Sequence, residues 1–334
     1  MSWAAGFSLH FRNNDDAMWN PPPDVTEHNG EPLAPDLDFF LAPPAEIGAI
    51  RTAHTSLKKG VRERPVPLRV VLALAAGAVG FLLTLGFDHL TKILLVISDI
   101  TRTPVLLWEV VFVPLWVYLG WRKWGFKHFC TFSGEYGCAH FQCEHERTRV
   151  SRKSCFLFKD ASAVSTRMVR RTKNGVYHGT NFYFHWYSSD SENAIFSITG
   201  NHMADSKKPP AANFYNFACA VESAWYRYAT PGIDAEFIKK GSVKFYMGYN
   251  CWSVLGRGYI QFVDEHGKVS QCGAEEIGSA KLFDGRLTIR RKDAKRSLFD
   301  LFNSEGVFGF PYGAIHNGRL FLYLFEKSVG IRVQ

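Results

Sequence analysis

Short runs of alternating apolar and polar residues dominate the second half of the chain, and a two-residue period marks half-buried strands. Between about 129 and 229 such runs fall at Ala139–His145, Ser154–Lys159, Ser165–Arg171, Val176–Tyr187 and Ala194–Thr199. Lys173-Asn174-Gly175 between two of them predicts a type I′ hairpin, because both central residues of that turn need positive φ. The period then changes. Phe214, Phe217, Ala218, Val221, Trp225 and Tyr228 recur at helical spacing. They predict an amphipathic helix that begins after Pro209-Pro210 and stops at Pro231-Gly232.

The order repeats between about 240 and 334. Strands are expected at Val243–Met247, Gly258–Val263, Lys268–Gln271, Ile277–Phe283, Arg286–Arg291 and Ser297–Phe302. His266-Gly267 and Asp284-Gly285 supply turns. Pro311 then opens an apolar segment through Ile315, Leu320, Phe321, Leu324 and Phe325, read as a closing helix. Asn317-Gly318 within it would also suit a hairpin.

Two runs show no alternation. Val70 to Phe87 is 18 residues without a charge, and Pro104 to Trp121 carries Glu109 alone. Each is at the lower end of what crosses ~30 Å of hydrocarbon. Gly77 and Gly80 would let a second helix approach closely, and Trp108, Trp116, Tyr118 and Trp121 resemble interfacial anchors. The expectation is a two-helix transmembrane hairpin over 61–127, with spans at about 70–87 and 104–121. Arg62, Arg64 and Arg69 precede it, and Arg122, Lys123 and Lys127 follow it, while the connector has only Lys92 and Arg102. The positive-inside rule then predicts a multi-pass inner-membrane protein with both termini cytoplasmic. A homo-oligomer could form through the hairpin. Glu109 would matter to a channel only if it lined a pore; snorkelling or pairing with Arg102 is the ordinary reading.

Composition sharpens this picture. Aromatic residues make up 15% of the 334, which favours sheet. A mean hydropathy of −0.11 excludes a chain made mostly of spans. The net charge of +8 is uneven: residues 1–50 hold eight acids against Arg12 alone, and the excess of bases lies further on. With its prolines, 1–60 reads as a disordered acidic arm. Asp38-Phe39-Phe40-Leu41 within it is either a docking motif or a local apolar cluster. The basic C-terminal part fits an anionic membrane surface better than nucleic acid, since no zinc-finger, RNP or helix-turn-helix signature occurs.

Two basic hairpins are the candidate lipid- or partner-binding residues. The first holds Arg167, Arg170, Arg171 and Lys173; the second holds Arg286, Arg290, Arg291, Lys292, Lys295 and Arg296. Guanidinium groups take phosphate bidentately and lysines add point charge. The competing reading is a solvated edge that blocks strand aggregation. Cys138, His140, Cys143 and His145 are metal ligands by type, but strand alternation splits them between two faces, so no metal is expected. Seven cysteines, all at or after Cys130, are expected reduced. His178, His185 and His202 could supply a base. Gly-x-Ser-x-Gly, Walker, Rossmann and His-Glu-x-x-His patterns are absent, so no catalytic residue, cofactor or enzyme activity is expected.

Several antiparallel strands closed by one amphipathic helix, twice over, resemble a tandem of pleckstrin-homology-like or GRAM-like domains. Bacterial membrane proteins carrying such domains behind a helical hairpin are similar in layout. The resemblance implies an α+β, β-rich fold with domains at 129–229 and 240–334. Because phosphoinositide-binding members use basic residues around their first hairpin, it also implies anionic headgroups at the hairpins. The expected function is a membrane-anchored, non-enzymatic binding or scaffold module that contacts anionic lipid or an unidentified protein. A toxin-neutralising (immunity-type) or secretion-accessory protein and a small oligomeric channel are the alternatives.

Overall fold

The computed structural model describes residues 19–59, 70–83, 113–119, 127–144, 150–189, 193–202, 214–248, 251–294 and 306–334. These form fourteen strands in four antiparallel sheets, with helices between and after them. The first sheet runs in the order β1 (Ile50–Thr55), β2 (Lys127–Gly134), β3 (Gly137–Glu144), β4 (Val150–Leu157); helices α1 (70–83) and α2 (113–119) fall between β1 and β2. The second holds β5 (Ala163–Lys173), β6 (Val176–Tyr187) and β7 (Ala194–His202), and α3 (Phe214–Lys240) follows. The second unit repeats this plan. A four-stranded sheet takes β8 (Ser242–Tyr246), β9 (Trp252–Gly256), β10 (Tyr259–Val263) and β11 (Val269–Gly273). A three-stranded sheet takes β12 (Ile277–Phe283), β13 (Arg286–Arg291) and β14 (Val307–Pro311), before α4 (Gly318–Val329).

Alternation decides which faces go inside. On β6, Phe182, Phe184 and Trp186 are fully buried while Tyr183, His185 and Tyr187 are half-exposed. Phe156, Phe158 and Ile198 join them, and α3 closes this core with Phe217, Val221 and Trp225. The second core gathers Phe245, Leu255, Ile260, Leu287 and Ile289 under Leu320, Phe321, Leu324 and Phe325 of α4. Truncating any of these buried rings to alanine costs about 3–5 kcal/mol. The β5–β6 turn has Asn174 at φ 52° and Gly175 at φ 76°, and the β12–β13 turn has Asp284 at 48° and Gly285 at 70°. Both are the left-handed pairs that a type I′ turn requires.

Several expectations are corrected. The transmembrane hairpin, and with it the multi-pass inner-membrane placement, is not supported: no helix among the described residues is long and apolar enough to cross a membrane. Residues 70–83 and 113–119 are helical, and the rest of both expected spans lies outside the described residues. They do pack together, since a methyl group on Gly77 or Gly80 would strike Val117 or Trp116. Glu109 lies outside the described residues.

The arm is not disordered over 19–59. Val25, Phe39, Phe40, Leu41, Ile47 and Leu57 are buried against Cys130, Phe132, Phe141 and Cys143 on one face of the first sheet. That face would otherwise be bare, and covering it repays the ordering of a proline-stiffened segment. Phe39-Phe40-Leu41 is therefore core. The first unit accordingly takes in β1 and the segment before it, ahead of the expected boundary at 129.

Helix α3 does not stop at Pro231. Its second half packs Tyr226, Ala229, Ile233 and Phe237 on the core of the second unit. That contact outweighs the cost of roughly 3 kcal/mol for an interior proline. Pro311 ends a strand and opens no helix. A 3₁₀ turn over Tyr312–Ala314 follows, and α4 starts only after Asn317, which is left-handed at φ 56°. Strands β9 and β14 were not expected. The expected strand at Ser297–Phe302 lies outside the described residues.

Candidate functional site

Hairpin β5–β6 is long enough for its root and its tip to differ. At the root, Val164, Phe184 and Trp186 are buried. Towards the tip, Arg167, Arg170, Arg171 and Lys173 are all exposed. Their registers are Arg167 to Tyr183, Arg170 to Thr180 and Arg171 to Gly179, with an irregularity after Arg171. Arg167 and Arg171 share one face, and Arg170 lies on the other. The Arg170 guanidinium stands 5.2 Å from the Tyr177 ring centroid. Among the described residues none of these four cations joins an ion pair. Met168 and Val176 add exposed apolar surface to the same hairpin, at 51% and 65%.

The second basic cluster is dispersed. Arg291 binds Asp293 through Nε at 3.0 Å and Glu276 through a terminal nitrogen at 3.2 Å. These carboxylates raise its pKa, Asp293 most. Arg286 donates to the Gly309 carbonyl at 3.3 Å. Arg290 faces Val307 in the ladder, and Lys292 is exposed beyond the strand. Lys295 and Arg296 lie outside the described residues.

Residues 312–313 link one end of this cluster to the first. Tyr312 N–H donates to the Gly285 carbonyl at 2.8 Å. A methyl group on Gly313 would sit 3.2 Å from the Thr166 carbonyl oxygen and 3.4 Å from Arg167 Cβ. The Asp284-Gly285 turn, and Arg286 after it, therefore lie on the Arg167 side of the junction. Phe283, 80% exposed, precedes that turn. Arg290 and Arg291 are at the opposite end of β13. The structure thus brings the Asp284-Gly285 turn close to Arg167 and leaves Arg290 and Arg291 at the far end of β13.

The Cys and His residues of β3 do not converge. Cys138 packs in the first unit's core, while Cys143 faces the layer formed by 19–59. His140 is buried against the rings of Phe129 and Phe214, and burial, with Arg152 adding to it, lowers its pKa to about 4. His145 lies outside the described residues. No group of three or more His, Cys, Asp or Glu that could hold a metal occurs among the described residues.

Sequence reading missed a buried polar cluster between 19–59, β1, β2 and α3. His28 bonds Thr52 Oγ1 through Nδ1 at 2.8 Å and Thr131 Oγ1 through Nε2 at 2.9 Å. His54 Nδ1 meets Glu27 Oε2 at 2.7 Å. Burial, with His54 adding to it, lowers the His28 pKa to about 3. No local pattern marks these residues, because the partners are separated by 24 to 103 positions.

No family model matches the chain, and no curated protein matches it either.

Proposed function

We propose that the chain is a non-enzymatic tandem binding module, pleckstrin-homology-like in plan, that presents hairpin β5–β6 to phosphate-bearing anionic headgroups. The observation that carries this reading is the set of exposed cations Arg167, Arg170, Arg171 and Lys173, none ion-paired among the described residues, beside exposed Met168 and Val176. Each cation near an anionic surface is worth about 1 kcal/mol, so Arg167, Arg171 and Lys173, at alternate positions on one face, supply roughly a hundredfold in affinity. Arginine forks suit phosphate oxygens, and the apolar side chains suit the boundary beneath them. Burial pushes the Cys130 and Cys155 thiols up to about 12, so neither supplies a thiolate nucleophile.

The test is co-sedimentation of the full chain with phosphatidylcholine vesicles, with and without phosphatidylserine, at low salt. Binding should require the anionic lipid. Joint substitution Arg167→Glu, Arg171→Glu and Lys173→Glu should weaken it at least a hundredfold, and Arg291→Ala should leave it unchanged. Indifference of the unmodified chain to anionic vesicles, or full binding by the triple variant, would sink the reading.

A further inference from the structure

Strand β12 is the edge of its sheet, and its outward backbone is occupied by the segment after α4. Gln334 N–H donates to the Ala280 carbonyl at 3.0 Å, and Leu282 N–H donates to the Gln334 carbonyl at 2.8 Å. The two bonds bracket Lys281, which is the pattern of a parallel pair. Ile331 and Val333 are half-buried against the second core, while Arg332 and Gln334 are exposed. That is the alternation of an added strand.

The equivalent edge of the first unit is β5, and it too is covered from within the chain. Asn317 N–H donates to the Val164 carbonyl at 2.6 Å. Asn317 Oδ1 accepts from Val164 N–H at 3.0 Å, and Nδ2 donates to the Ser162 carbonyl at 3.1 Å. The two covers differ in how firmly they are held. Asn317 is buried and is tied to α3 as well, through Trp225 Nε1 at 3.0 Å. The cover on β12 has two backbone bonds, both made by one exposed residue. It leaves α4 through Gly330 in the left-handed region, at φ 75°.

We infer that the edge of β12 beside α4 is a docking site for an extended peptide with apolar residues at alternate positions, and that Gly330–Gln334 fills it as a displaceable stand-in. Strand addition supplies affinity through the main chain, and the seats of Ile331 and Val333 supply selectivity for aliphatic side chains. The class of partner follows from the segment already seated there. The inference concerns the second unit and does not depend on the anionic-headgroup reading of the first.

The test uses the full chain carrying Ile331→Asp and Val333→Asp, with a fluorescein-labelled peptide of the sequence Lys327–Gln334 as probe. The released variant should bind the probe saturably and at least tenfold more tightly than the unmodified chain. Adding Leu282→Pro should abolish binding, because it removes the outward N–H while Leu282 still faces Leu287 across the ladder. A probe that binds both chains alike, or neither, overturns the inference. If the double substitution unfolds the unit, hydrogen exchange on the unmodified chain decides instead. The Leu282 amide should exchange at least a hundredfold faster than those of Lys281 and Thr288, which are partners within the ladder. Exchange of all three together would make Gly330–Gln334 a permanent strand and end the proposal.

Discussion

Asn317 Oδ1 accepts a hydrogen bond from Trp225 Nε1 at 3.0 Å, tying the start of α4 to the middle of α3 across the boundary between the two units. The same oxygen takes the Val164 N–H. One buried, left-handed asparagine therefore satisfies groups from three elements. Asn317→Ala should cost about 3–7 kcal/mol: each of the two orphaned donors costs about 1–3 kcal/mol and the left-handed backbone about 1 more. Asn317→Gly, which relieves only the backbone part, should be about 1 kcal/mol less harmful. Urea unfolding of both variants measures this, and a loss below 1 kcal/mol for the alanine variant would contradict it.

Glu222 sits beneath the same junction. Its Oε1 accepts from Thr166 Oγ1 at 2.6 Å, and its Oε2 faces Arg319 at 3.1 Å. Burial raises its pKa above the usual 4.5, with Arg319 and Thr166 opposing. The folded chain therefore holds this proton more tightly than the unfolded one. The stability from this group is full below pH 4.5 and declines as pH rises through the raised value. Glu222→Gln keeps an acceptor for Thr166 and removes the titration. The urea midpoint of the unmodified chain should fall relative to that of Glu222→Gln between pH 4.5 and neutrality; parallel curves would refute the assignment.

His28 gives the opposite slope. Its pKa falls from 6.5 to about 3, so it stays neutral in the folded chain while the unfolded chain takes up a proton. The stability it supplies is present above pH 6.5 and is lost as pH falls towards 3, by at most about 5 kcal/mol. His28 contacts Phe217 of α3, with ring centroids 5.0 Å apart, and holds residues 19–59 to the sheet. Protection factors of the Ile50–Thr55 amides, corrected for the intrinsic pH dependence of exchange, should fall on going from pH 7 to pH 5. His28→Gln should remove part of that fall. An identical pH response in both proteins would rule out His28 as its source.

Pro231 offers a stability gain. The helix runs through it, with Thr230 Oγ1 donating to the Tyr226 carbonyl at 2.6 Å. Pro231→Ala restores an N–H inside α3 and should stabilise the chain by about 1–3 kcal/mol. Thermal unfolding reads this directly, and a lower Tm would show that the proline sets a bend on which the second core depends.

Legibility in the sequence tracked the range of the interactions. Val176–Tyr187 and Ile277–Phe283 were readable because their alternation and the adjoining Asn174-Gly175 and Asp284-Gly285 turns are encoded within a few residues. Trp252–Gly256 was missed because Trp-Ser-Val-Leu-Gly is too short to show a period; it is a strand because Tyr259–Val263 and Ser242–Tyr246 pair with it on either side. Residues 50–55 read as tail because their partner strand, β2, begins more than 70 positions away.

By itself the sequence determined the strand-and-turn rhythm, the two closing helices and the supply of surface cations, because period, turn chemistry and charge are local properties. Tertiary structure decided, beyond local pairs such as Arg291 with Asp293, which cations remain available. Arg291 and Arg171 look alike in sequence, yet Glu276 and Asp293 engage the first, and no ion pair engages the second among the described residues. It also decided that a proline-rich acidic segment folds onto a sheet and that a helix crosses its proline. In these last two cases the decisive free energy comes from apolar surface contributed by residues remote in the chain.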